Sequence, residues 1–185
     1  GRGRLAAATD QALKGDWLAA AQSVAAAIGA DPAEPLYYSQ AAFARAMAAL
    51  QTGDPFDAAA LDAAADLYCR SLATEPLFVP NYLNAAHVFA IQGAKDDATA
   101  LLEAAAGRGT DWPLAYLLLA DQRLAAGAGP DSVARLYAEA THEASTKVLE
   151  QLDDSGLSGE HDPTEAMLRG FDRAADELLA RLDRF

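Results

Sequence analysis

The chain is short of cysteine, of basic residues and of long apolar runs, and each shortage removes a class of function. Of its 185 residues only Cys69 is a cysteine, so an intrachain disulfide is excluded and redox chemistry does not assign the compartment. A soluble domain of the cytoplasm or the periplasm fits equally. Lys and Arg number 14 against 27 Asp and Glu, for a net charge of −13. That balance argues against nucleic acid and against a bare anionic lipid surface, because both need clustered cations. No stretch reaches the roughly 18 uninterrupted apolar residues of a membrane span, so direct membrane insertion is not expected.

Signs of catalysis are equally scarce. The three histidines, His87, His142 and His161, lie far apart in sequence, and none forms a two-histidine metal spacing on one helix. His142 and Glu143 are adjacent and so diverge on a helix. Glu160-His161-Asp162 reads as a solvated cluster in a loop. There is no phosphate-cradling glycine loop, nucleophile elbow or catalytic cysteine signature. Cys69, between Tyr68 and Arg70 in a helical pattern, reads as a half-buried small apolar residue. The expectation is a non-enzyme with no cofactor and no metal.

What the chain has in abundance is alanine, which supplies much of its 52% apolar content. Alanine is the best helix former, and its small side chain lets helices approach closely. Period-two alternation of β-branched residues is missing, so strands are not expected and the fold should be all-α. Glycines and prolines punctuate nine predicted helices. They run from about Leu5 to Lys14, Asp16 to Gly29, Pro35 to Thr52, Asp57 to Thr74, Val79 to Gln92, Lys95 to Ala106, Pro113 to Gly127, Pro130 to Leu152, and Pro163 to the end. Residues 153–162 read as a loop. The chain opens Gly1-Arg2-Gly3-Arg4 without Met, which suggests an excised domain or a processed product.

A spacing recurs through the first eight helices. Gly15-Asp16-Trp17, Ala20, Val24, Ala27 and Asp31-Pro32 return as Ala64, Tyr68, Ser71 and Pro76, then as Gly93, Ala98, Leu102 and Ala105. Tyr38, Tyr82 and Tyr116 hold an aromatic position, followed by the pairs Ala41-Ala42, Ala85-Ala86 and Leu119-Ala120. This set resembles the tetratricopeptide-repeat (TPR) family, whose signature is Trp-x2-Leu-Gly-x2-Tyr, then Ala-x3-Phe, Ala and Pro. The resemblance covers about residues 4–150 and has departures. The first aromatic is replaced by Arg4, Arg45 and Arg123 stand where Phe89 stands in the third copy, and the fourth copy lacks the terminal proline. The second copy carries about ten extra residues around Leu50 to Leu61.

The resemblance implies a right-handed superhelical array of antiparallel helix hairpins, a TPR-like α-solenoid. Its domain plan would be an array over 1–152, a loop over 153–162 and a C-terminal capping helix over 163–185 of the same domain. It also implies that the first helices of successive hairpins line a concave groove. That places Leu36, Ser39, Phe43 and Met47, then Leu83, Asn84, His87 and Ile91, then Leu117, Asp121 and Leu124, on the inner face. Asn84 stands where members of the family place an Asn that hydrogen-bonds a bound peptide backbone. Positions that some members use to clamp a terminal carboxylate hold Leu5, Thr9, Gln40 and Asn84 here, with no lysine pair.

The expected function is a bacterial-type, non-catalytic scaffold that takes an apolar peptide or helix segment of a protein partner into this groove. An alternative is a soluble appendage of a larger envelope or membrane-associated protein, such as a glycan polymerase or secretion assembly. A third expectation rests on Leu168, Phe171, Ala175, Leu178, Leu182 and Phe185, an a/d seam in the ninth helix. That seam would cap the last repeat or form a homodimer through residues 163–185.

Overall fold

The structure is a computed structural model that describes residues 2–53, 56–108, 113–154 and 163–183. Its elements are α1 (Arg2–Leu13), α2 (Trp17–Ala30), α3 (Pro35–Gln51), α4 (Ala58–Thr74), α5 (Val79–Ile91), α6 (Lys95–Ala106), α7 (Pro113–Ala125), α8 (Pro130–Asp154) and α9 (Pro163–Leu182). Among the described residues there is no strand. The all-α hairpin architecture is therefore the one the sequence implies. None of these helices is long and apolar enough to cross a membrane.

Helix starts follow local chemistry. The carboxylates of Asp16 and Asp57 accept from the amides of Ala19 and Ala60 at 3.1 and 3.0 Å. Each thereby satisfies a donor that the first helical turn leaves without an intrahelical partner. Proline in the first turn opens α3 and α5, where its missing N–H costs nothing.

Gly15, Gly53, Gly93 and Gly127 end the first helix of each hairpin at φ 77, 87, 81 and 80. Three of these closures share one hydrogen-bond pattern. The amides of Asp16, Ala94 and Ala128 reach back to the carbonyls of Gln11, Phe89 and Arg123 at 3.0, 2.9 and 2.9 Å. The glycine amides bond to Ala12, Ala90 and Leu124, completing the Schellman motif. A Cβ at Gly93 would meet no atom within 4 Å, so Gly93→Ala probes the backbone alone. It should cost about 1–2 kcal/mol in chemical denaturation, and Gly93→Asn should cost less because Asn tolerates the left-handed region. An unchanged denaturation midpoint for Gly93→Ala would contradict this account.

Contacts divide the chain into two compact units, Gly1–Leu101 and Leu102–Phe185. This division falls within α6. In the first unit Ala20, Ala41, Ala42, Ala64, Ala85 and Ala86 are each at most 2% exposed. They are the small residues of the recurring pattern, placed where helices meet. Tyr68, Leu61 and Val88 pack in one cluster with Ala42, Ala64 and Ala85, while Ala41 packs with Val24 and Tyr37 and Ala20 with Ala21 and Ala44. Two tyrosines of the aromatic position tie successive hairpins together: Tyr38 Oη donates to the Pro32 carbonyl at 2.9 Å, and Tyr82 Oη to that of Pro76 at 3.0 Å.

The extra residues of the second hairpin lengthen its helices. α3 and α4 have 17 residues each, against 13 and 12 in α5 and α6. The added turn of α3 brings Gln51 to the first hairpin, where its Nε2 donates to the Gly15 carbonyl at 3.0 Å.

In the second unit Ala105, Ala115 and Ala120 are fully buried, and Leu119, Val133 and Leu136 are buried as well. α8 continues to Asp154, two residues into the segment expected as a loop, and residues 155–162 lie outside the described ones. α9 lies along α8, with Arg135 Nη1 2.7 Å from Asp183 Oδ1 at one end. Ala175, Leu149 and Ser145 are buried in this unit. Of the a/d seam, Ala175 is buried and Leu168 and Leu182 are half-buried, while Phe171 and Leu178 are exposed. Phe185 lies outside the described residues.

Candidate functional site

In the first unit, side chains of α1, α2, α3 and the start of α5 surround a concave pocket of about 390 Å³. Small residues make the room. Ala8 and Ala12 of α1, Ala20 of α2 and Ala44 of α3 line it, leaving volume that larger side chains would occupy. Trp17 and Phe43 form its aromatic wall, edge to face at 81° with ring centroids 5.6 Å apart. This geometry sets the positive edge of one ring against the negative face of the other. Phe43 remains 43% exposed, so part of its ring is open to a ligand.

Polar groups arrive from successive hairpins. Thr9 of α1, Gln40 of α3 and Asn84 of α5 all line the same pocket. Beneath them Asn81 is 1% exposed and its Nδ2 donates to the buried Ser71 Oγ at 2.7 Å. That bond fixes the amide at one side of the cavity and couples α5 to α4. None of the described lining residues carries a charge, in a chain whose net charge is −13.

The residues expected on the inner face separate into groups. Phe43 and Asn84 line the pocket, as does Ser39. Leu36 and His87 are exposed but lie outside the described lining. Met47 and Ile91 are half-buried, and Ile91 packs against the core around Tyr68 and Val88. Leu83 is only 6% exposed and faces inward, so its side chain is core rather than groove wall. The cause is rotational: one residue along a helix turns the side chain by about 100°, which separates Leu83 from Asn84.

Leu117 and Asp121 belong to α7 in the second unit. Leu117 is 39% exposed. Asp121 is also exposed, and its Oδ1 accepts from Tyr137 Oη at 2.7 Å. The same bond raises the pKa of the Tyr137 hydroxyl, since it holds the proton against a carboxylate.

Sequence reasoning missed Trp17, Phe78, Pro80 and Asn81 as pocket residues. Trp17 was visible only as a repeat marker, and the others lie at or before the start of α5, ahead of the family's groove positions. No described residue of the enlarged segment from Leu50 to Leu61 lines the pocket. Cys69 is exposed rather than half-buried. Partial desolvation, then Asp66 and Asp97, push its thiol pKa up, which lowers its thiolate fraction and its reactivity.

Helix hairpins closed by left-handed glycines and stacked through alanines define a helical-repeat protein with a concave pocket. More specifically, the chain has the TPR-like repeat fold. Solved structures carry the likeness. A crystal structure of MamA aligns at a TM-score of 0.58 and 13% identity, covering 96% of this chain and 97% of that one. A second MamA structure gives 0.58 and 14%, with 98% and 93% covered. TTC0263, a thermophilic TPR protein of Thermus thermophilus, gives 0.56 and 21%, with 91% and 77% covered. No protein-family model and no curated protein matches the sequence.

Proposed function

We propose that the first unit is a non-catalytic binding module that takes an uncharged, apolar segment of a partner protein into the Phe43–Asn84 pocket. A TPR-like fold supports a protein-interaction scaffold in general terms. The pocket's chemistry supports the finer reading. Aromatic and alanine surface is joined there by Thr9, Gln40 and Asn84, with no charge among the described lining residues. Amides at the rim can donate to and accept from a peptide backbone, while Trp17 and Phe43 take up an apolar side chain. At about 390 Å³ the cavity suits one or two anchoring side chains. An anionic terminus would meet no cation among those residues and would also face the negative charge of the whole chain.

A peptide array of apolar, basic and acidic segments tests the specificity. Retention of uncharged apolar segments over acidic ones is the expected result. Preference for acidic segments would overturn the reading.

One further observation supports self-association through α9. Met167, Phe171 and Leu178 are 53%, 50% and 38% exposed and follow one another along the helix. Light scattering should then report a dimer for the chain and a monomer for Phe171→Glu with Leu178→Glu. A monomeric parent chain would remove this reading.

A further inference from the structure

The α8–α9 pair brings together three groups that are dispersed in sequence. His142 comes from the middle of α8, and Asp172 and Asp176 come from successive turns of α9. His142 Nδ1 stands 2.8 Å from Asp172 Oδ1 and 3.2 Å from Asp176 Oδ1. One ligand atom from each of the three residues falls within 4.8 Å of the other two. The imidazole is 37% exposed as a whole, but its Nδ1 atom is buried and makes no hydrogen bond of acceptable geometry.

Closeness and bonding therefore disagree at this nitrogen. Two carboxylate oxygens are near enough to accept a proton, yet neither stands in the direction a ring N–H would point. A buried ring nitrogen left without a partner is costly. Two aspartates one turn apart on α9 also repel each other. A cation bound at the focus of the three donors removes both penalties, because it takes the in-plane lone pair of Nδ1 and neutralises both carboxylates.

We propose that His142, Asp172 and Asp176 form a binding site for a divalent transition-metal ion that clamps α9 to α8. One imidazole nitrogen and two carboxylate oxygens form a donor set suited to Zn²⁺, Co²⁺ or Mn²⁺, whereas Ca²⁺ and Mg²⁺ favour oxygen alone. Metal–ligand distances of about 2.0–2.2 Å require donors about 3–4 Å apart, a spacing these side chains reach with small rotamer adjustments. Thr146 Oγ1 donates to Asp172 Oδ1 at 3.4 Å and helps to orient that carboxylate from outside the site. Three protein ligands leave a coordination position for water. The ion would act as a removable fastener between two helices, held by neither helix alone.

Titration of the full chain with Co²⁺ and with Zn²⁺ tests this site. The expected result is one ion per chain, a visible cobalt ligand-field band, and a melting temperature raised by about 5 °C at a hundredfold excess over Kd. Asp176 is 58% exposed, so Asp176→Asn should keep its helical circular dichroism while weakening binding at least tenfold. His142→Gln should remove the stoichiometric site, and His87→Gln with His161→Gln should leave it intact. Absence of binding, or binding unchanged in both His142→Gln and Asp176→Asn, overturns the proposal.

Discussion

Phe43→Glu is expected to weaken capture of an apolar partner segment by at least a hundredfold while leaving helical circular dichroism unchanged. The ring is 43% exposed, so a glutamate there can remain solvated in the free protein and the fold is spared. In the complex the same carboxylate would be stripped of water inside a pocket whose described lining holds no cation. That desolvation adds to the loss of an aromatic anchor, a residue type that dominates binding energy at interfaces. A hundredfold loss corresponds to about 2.8 kcal/mol, within the usual range for removing such an anchor. Trp17, in edge contact with Phe43, provides a fluorescence signal for the titration. Undiminished binding by the folded variant would exclude this pocket as the binding site.

Leu83→Glu should have the opposite outcome: the first unit loses its cooperative fold. Leu83 is 6% exposed. Removing such a leucine costs about 2–5 kcal/mol as a cavity, and an unpaired carboxylate in its place adds a desolvation penalty. Small domains have about 5–15 kcal/mol of stability in total, so the sum removes most or all of it. Thermal unfolding followed by circular dichroism should show the transition of the first unit shifted far down or lost. A variant with near-wild-type melting would place Leu83 at the surface. Two positions that the sequence sets on one wall are thus separated by a single measurement each, Phe43 by binding and Leu83 by stability.

The same pair marks how far the sequence could be read. Helix limits are legible to within about three residues because they are written locally, in the Asp16 and Asp57 caps, the left-handed glycines and the opening prolines. The buried alanines were legible through their recurrence. Pocket membership was not, because it depends on how far each helix is rotated about its axis, and a repeat register alone does not specify that. Asn84 and Phe43 were reached through the family's groove positions, whereas Leu83 lies one step around the helix from Asn84 and turns inward. His142, Asp172 and Asp176 were invisible as a group. Thirty residues separate the histidine from the first aspartate, and only the antiparallel course of α8 and α9 closes that distance.

The hydrogen bond between Ser71 and Asn81 has a consequence for registration. Alanines alone discriminate poorly between alignments that differ by one turn. Leu61, Tyr68 and Val88 constrain how α5 lies along α4 through packing, and the buried polar pair adds a directional constraint. A hydroxyl and an amide sealed within that interface find each other in only one alignment. Slippage would leave both without partners, at about 1–3 kcal/mol each. The pair acts as an index pin, and since Asn81 also lines the pocket, the pin that helps to set the alignment of the helices helps to set the shape of the cavity as well.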